Sequence, residues 1–274
     1  MIQAGDRKTF RWLMALAFAG LLAGAFVGAE FDPRALFGDR AARGAQRFLS
    51  GCWPPRTDGE FLLRLAKATL DTLAIAAVGT AIALAVGLPL GALSSRIVVY
   101  GAQFASDGAK PSAPARALLG AARTLGAVFR SVPEVVWALL FVRVTGLGPL
   151  PAVVALGVAY GGLLGKVFSE QMENVPVRPM AALEAVRAGR LSAFAWGVLP
   201  QAFGSMASYA AYRFECAVRA SALMGFVGAG GLGFQIEVSS GDYRYGEVLT
   251  ETFFLVALVG LIEWSSDALR RWIA

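Results

Sequence analysis

Six stretches of the chain are almost continuously apolar: about 11–28, 69–93, 117–145, 150–170, 199–227 and 248–268. At about 1.5 Å per helical residue, each is long enough to cross a hydrocarbon core of about 30 Å with room for tilt. The pattern therefore predicts an all-α, polytopic membrane protein with about six transmembrane helices. Residues 29–68 read as a polar connection broken at Asp32-Pro33 and Trp53-Pro54-Pro55. It ends in Phe61-Leu62-Leu63-Arg64-Leu65-Ala66-Lys67, whose mix of apolar and basic residues predicts a short helix on the membrane surface turning into the second span. Residues 94–116 read as a flexible loop. The expected layout is 1–68 (membrane helix, external connection, interfacial helix) and a core domain, 69–274, with a long loop at about 171–198. The first apolar run has a rival reading, because Arg7, Lys8 and Arg11 precede it and Val27-Gly28-Ala29 is similar to a signal-peptidase site; its apolar length exceeds that of such signals.

Composition agrees with the pattern. Of 274 residues, 57% are hydrophobic and 16% charged, and mean hydropathy is +0.59, whereas soluble domains lie nearer about 45–50% and 25%. The absence of His excludes His-based acid–base work and most transition-metal sites. Cys52 and Cys216 lie far apart in unlike surroundings, which argues against a disulfide framework. The net charge of +6 is scattered between apolar spans rather than massed on a polar segment, so it speaks for membrane orientation and against nucleic acid. With both termini inside, the inner loops hold Arg7, Lys8, Arg11, Arg96, Lys110, Arg116, Arg178, Arg187, Arg190, Arg270 and Arg271, which favours that orientation. Arg34, Arg40, Arg43, Arg47, Arg56, Arg64 and Lys67 count against it, in a connection that also carries five acids.

The loop 181–201 carries Glu184-Ala185, a break at Gly189 and an apolar run closed by Leu199-Pro200. Proline suits a first helical turn, so the loop predicts a short helix, a turn and a second helix entering the membrane: either a bland loop helix or a stiff lever toward a soluble partner. Ionisable residues within spans are costly and call for partners. Arg130–Glu134, Lys166–Glu170 and Glu215–Arg219 are each four apart, which predicts internal pairing on one helix face. Arg213 has Ala217 at that spacing, which leaves it, with Arg219, as a candidate for contacting an anion in a water-filled path. Gly228, Gly230, Gly231 and Gly233 predict either a bend or gate, or tight helix packing through small residues. They also spell GxGxxG, but after a membrane span rather than a strand, and Gly165-Lys166 lacks both the first glycine and the Ser or Thr of a P-loop. The chain shows no catalytic set, no metal set and no ATPase motif.

Glu184-Ala185 … Gly189 … Gly197-Val198-Leu199-Pro200 resembles the "EAA" loop of importer-type ABC permeases, the surface that docks on the ATPase subunit. The stretches Arg130-Ser131-Val132-Pro133-Glu134, Gly146-Leu147-Gly148-Pro149, Gly165-Lys166-Val167-Phe168-Ser169-Glu170, Tyr212-Arg213-Phe214-Glu215 and Val227-Gly228-Ala229-Gly230-Gly231-Leu232-Gly233-Phe234 resemble the phosphonate/phosphite branch of that family. The likeness runs in order from about residue 48 to the C-terminus. It implies the importer-type ABC permease fold in a bacterial cytoplasmic membrane, with 171–198 as the cytoplasmic coupling loop. It also implies a second permease chain as a homodimer, ABC ATPase subunits that bind ATP-Mg, and a periplasmic or lipid-anchored binding protein, with no cofactor on this chain. The turn Ala188-Gly189-Arg190 departs from the pattern by being about three residues short. The implied function is passage of phosphonates, phosphite or phosphate. The rivals are an ABC permease for another small solute such as an amino acid, an ion-coupled secondary transporter using Glu134, Glu215, Glu237 or Glu251, and a non-transporting scaffold. An intramembrane enzyme would need a nucleophile–base pair, and none is visible.

Overall fold

The computed structural model describes residues 4–29, 38–101 and 111–273, with side chains from residue 10 to residue 271. It comprises two compact units, Met1–Trp53 and Pro54–Ala274. Among the described residues every regular element is helical.

The first unit holds α1 (Ala4–Gly28) and α2 (Asp39–Cys52). Within α1, Phe10–Gly28 is long and apolar enough to cross a membrane. The search for apolar runs missed α2, which lies inside the polar connection expected over 29–68. Asp39 sits in its first turn, where an acid suits the helix dipole, and Arg40, Arg43 and Arg47 recur at helical spacing.

In the second unit, α3 (Gly59–Ser94) and α7 (Pro149–Glu173) form the most extensive helix pair. The expected interfacial helix at 61–67 is instead the opening of α3. Phe61, Leu65, Ala68 and Thr72 are all buried along one continuous face, and nothing between them breaks the helix. Its 36 residues span about 54 Å. Lipid is as apolar as leucine, so close backbone approach, rather than escape from water, must hold such helices together. Glycines supply it. A Cβ at Gly79, Gly87 or Gly91 of α3 would stand 2.8, 2.7 and 2.9 Å from the Cβ atoms of Leu156, Leu164 and Phe168. In return, Gly157, Gly161 and Gly165 of α7 receive Ile82, Val86 and Leu90.

After α4 (Arg96–Tyr100), the region expected to be a single span at 117–145 is broken. It comprises α5 (Ala113–Ser131) and α6 (Glu134–Thr145), bent by 87°. Pro133 causes the break: its ring removes an N–H and holds Val132 in extended backbone, at φ −99° and ψ 125°. The corner is tied by Trp137 Nε1, which donates to the Phe129 carbonyl at 3.1 Å. The chain continues through α8 (Arg178–Ala185) and α9 (Arg190–Ala193). A wide turn, Phe194–Val198, then leads into α10 (Leu199–Met224). A second wide turn, Gly225–Ala229, precedes α11 (Gly231–Gly241), bent by 55°, and α12 (Tyr245–Ile273) closes the bundle. Four helices are individually long and apolar enough to span, and counting each bent pair as one span makes six among the described residues. An apolar groove of about 970 Å³ lies among α3, α10 and α12.

Candidate functional site

Three arrangements within the second unit bear on function. The first is the loop unit made by α8, α9 and the wide turn. Glu184 and Ala185 close α8. The chain reverses through Arg187, which adopts φ 58°, while its N–H and that of Ala188 donate to the carbonyls of Glu184 and Leu183. Met180 of α8 is buried against Gly197, where a Cβ would stand 3.0 Å from the Met180 Cα. Pro200 has no N–H to return to Trp196, so the register widens and Leu199 N–H reaches the Phe194 carbonyl. The expected helix–turn–helix entering at proline is therefore present, with the bulge as an addition. Arg190 Nη1 donates to the Val99 carbonyl at 3.1 Å, and Glu184 lies against Gly101, so this unit also grips the C-terminal end of α4. Its outer surface carries Val186, Leu191 and Trp196, each at least three-quarters exposed.

The second arrangement is built around Arg213 on α10. Its guanidinium carbon lies 5.4, 5.3 and 5.7 Å from the ring centres of Tyr160, Tyr209 and Tyr212. Arg213 Nε donates to the Tyr209 hydroxyl at 2.9 Å. Each aromatic face is worth about 0.5–2 kcal/mol to a cation, so three of them hold a charge without neutralising it. Among the described residues no carboxylate pairs with Arg213. Arg219 differs: it pairs with Glu215 at 3.2 Å and with Glu263 of α12 at 2.5 Å. Glu215 also takes Arg270 at 3.4 Å, and Arg270 pairs with Asp267. This cluster ties α10 to α12. Lys166 and Glu170 pair as their spacing predicts, at 2.7 Å. Arg130 and Glu134 do not, because the bend at Pro133 puts them on different helices and the four-residue rule no longer applies.

The third arrangement is the glycine break after α10. Gly228, Gly230 and Gly231 take φ of 90°, 87° and 73°, a region L side chains rarely enter. Gly233 packs directly on the Ala222 carbonyl. The segment bends and packs closely at once. What pins it is Thr72 of α3, a residue that nothing in the sequence singled out. The Thr72 hydroxyl donates to the Ala68 carbonyl and accepts the Leu232 N–H at 2.8 Å, while the Thr72 carbonyl accepts from Ser221 Oγ at 3.0 Å. Thr72→Val leaves the buried Leu232 N–H without an acceptor. It is expected to destabilise the protein by about 1–3 kcal/mol, seen as a lower melting midpoint in detergent, whereas Thr72→Ser stays near wild type. Equal midpoints for Val and Ser would show that the hydroxyl does not anchor the break.

Of the carboxylates nominated for ion coupling, Glu237 is exposed and Glu251 is buried, accepting from Ser239 Oγ at 2.8 Å. Among the described residues no group of acids or cysteines could hold a metal.

Comparison with known proteins places this geometry. The family model for the binding-protein-dependent transport system inner membrane component matches residues 112–274. The phosphite transport system permease protein PtxC of Stutzerimonas stutzeri is 38% identical over 202 residues, covering 74% of this chain and 68% of that protein. The phosphate-import permease protein PhnE of Mycolicibacterium smegmatis is 30% identical over 244 residues, which is 88% of this chain but 42% of the relative. Among solved structures, a chain of the MetNI methionine ABC transporter in inward-facing conformations superposes with a TM-score of 0.65 at 26% identity, covering 80% of this chain and 100% of that one. The chain thus belongs to the binding-protein-dependent transport system inner membrane component family.

Proposed function

We propose that this chain is the translocation subunit of an ATP-driven importer for phosphorus oxyanions such as phosphite, phosphate or phosphonates. The observation that carries the proposal is the caged Arg213, a cation held by three tyrosines with no described carboxylate to neutralise it. A passing anion gains two charge-assisted hydrogen bonds from such a fork, and the ring faces keep the fork in place while it is unliganded. The names of the similar phosphite and phosphate permeases support the same substrate class.

In this reading the exposed Val186, Leu191 and Trp196, together with Glu184, form the face that an ABC ATPase subunit grips. A loop unit with its own buried core at Met180 and Gly197 is stiff enough to pass on a push. The energy comes from ATP-Mg on the partner, because this chain has no P-loop. A binding protein delivers the solute from outside, a second permease chain completes the path as a homodimer, and both termini are cytoplasmic. Gly228, Gly230, Gly231 and Gly233 act as the outer bend of the path, and Arg130, Glu134, Glu215 and Arg219 are further polar groups along it.

The test is uptake of labelled phosphite, phosphate, an alkylphosphonate and several amino acids in phosphorus-starved cells with and without the chain, alongside Glu184→Arg. Loss of phosphorus uptake in both the deletion and the Glu184→Arg strain is the expected result. The likeness to the methionine transporter favours a second reading, an amino-acid permease. If only amino-acid uptake falls, that reading replaces the first, and if uptake is insensitive to Glu184→Arg, the docking assignment fails.

A further inference from the structure

Away from Arg213, the cations Arg123 and Arg130 of α5 and Lys166 of α7 converge on one pocket of about 80 Å³, which Ser94 and Ser169 also line. Two of the three are matched by acids. Arg123 Nη2 pairs with Glu173 at 3.0 Å while its Nε and Nη2 also donate to the Ser94 carbonyl, and Lys166 pairs with Glu170 at 2.7 Å. Arg130 has no ion pair with any described residue. Its position is nevertheless set: its backbone N lies 3.0 Å from where a Cβ at Gly162 would stand, and its Nη1 lies 3.8 Å from the Cβ position of Gly126, so the side chain folds back over a glycine into the pocket.

Three cations against two carboxylates leave the pocket with net positive charge. Like charges gathered beside an apolar bundle repel each other unless an anion joins them. The Arg130 fork, with the Arg123 guanidinium and the Lys166 ammonium beside it, around a space of about two to three waters' liquid volume matches one small tetrahedral oxyanion. We infer that this pocket is a second anion site, for a phosphate-type oxyanion, distinct from the tyrosine cage. The two are separated on α7: Lys166 follows Tyr160 by six residues, about 120° around the helix and about 9 Å along it.

Two sources supply that chemistry. The pocket lies where α3 ends at Ser94 and α7 ends at Glu173, the end of the bundle that carries the loop unit. A free phosphorus oxyanion and the phosphate of an anionic lipid both fit there. The choice of phosphorus over other oxyanions rests on the proposed transport function, whereas the charge arrangement does not.

The full chain, purified in a maltoside detergent that carries no phosphate, tests the site in an Arg213→Gln background, so that only this pocket is read. Equilibrium dialysis with labelled inorganic phosphate is paired with native mass spectrometry after exposure to phosphatidylglycerol. Arg130→Gln and Lys166→Gln are each expected to weaken phosphate binding at least about tenfold, as loss of a charged hydrogen-bond donor does. Absence of phosphate binding, with phosphatidylglycerol retained by the reference chain and released by Arg130→Gln, supports the site with lipid as its ligand. If neither ligand responds to either substitution, the inference is overturned, and should Arg130→Gln fail to fold, the half-exposed Lys166 decides alone. A tenfold loss here combined with no phosphorus uptake in cells would sink the transport reading and leave the pocket standing.

Discussion

Replacing Arg213 with Gln is expected to reduce uptake of the phosphorus oxyanion at least about a hundredfold, since two charge-assisted hydrogen bonds of roughly 1.5–3 kcal/mol each disappear from the path. The protein should still fold. Arg213 pairs with no described acid, so its removal strands no buried carboxylate, and the structural loss is one hydrogen bond to Tyr209 and three ring contacts. Arg213→Lys separates charge from shape: the ammonium keeps the charge but cannot present a fork, so an intermediate rate is expected. Arg219→Gln probes a different part of the proposed path, because Arg219 is held by Glu215 and Glu263 and its loss also acts on the α10–α12 contact. The readouts are initial uptake rates and gel-filtration profiles of the same preparations. Unchanged uptake in Arg213→Gln with normal folding would remove Arg213 from the path.

Gly233→Ala should cost more stability than any other glycine-to-alanine change among the described residues. Its new methyl would be driven onto the Ala222 carbonyl, and a backbone atom inside a packed helix cannot swing aside as a side chain can. The overpacking penalty is expected to exceed about 3 kcal/mol, the upper end for extra methyl groups in a close-packed core. Gly230→Ala isolates a different effect. Nothing lies within 4 Å of its Cβ position, but it sits at φ 87° and ψ −162°, a region open essentially to glycine alone, so strain of about 1–3 kcal/mol is the whole cost. Gly20→Ala, in mid-helix with open space around it, should be neutral or slightly stabilising. Thermal midpoints in detergent for the three variants should fall in that order. A Gly233→Ala protein as stable as Gly230→Ala would show that the bend after α10 relaxes freely.

Apolar run lengths sufficed for the class of fold, because a membrane core demands about twenty apolar residues per helix whatever the packing. They could not show the corner at Pro133. Hydropathy sums over residues 117–145 without registering that Val132 must leave the helix, although the proline itself was visible. Helix α2 was hidden for the opposite reason: its Arg40, Arg43 and Arg47 are polar, so a search for apolar segments passes over the spacing that marks it. At the site, the missing i+4 partner of Arg213 was legible, but its tyrosines were only partly so. Tyr209 and Tyr212 are neighbours on one helix, whereas Tyr160 comes from α7 by tertiary packing. Thr72 gave no signal, since a threonine bonded to its own helix is ordinary in an apolar span.

The interlock of α3 with α7 also says where motion cannot be. Gly79 with Leu156, Ile82 with Gly157, Val86 with Gly161, Gly87 with Leu164, Leu90 with Gly165 and Gly91 with Phe168 act as six teeth of a closed zip, set over several helical turns. Sliding one helix past the other by a turn, about 5.4 Å, would need all six to disengage together. The pair therefore behaves as a keel. Whatever rocking lets a solute through must belong to the helices around it, while the keel holds its line.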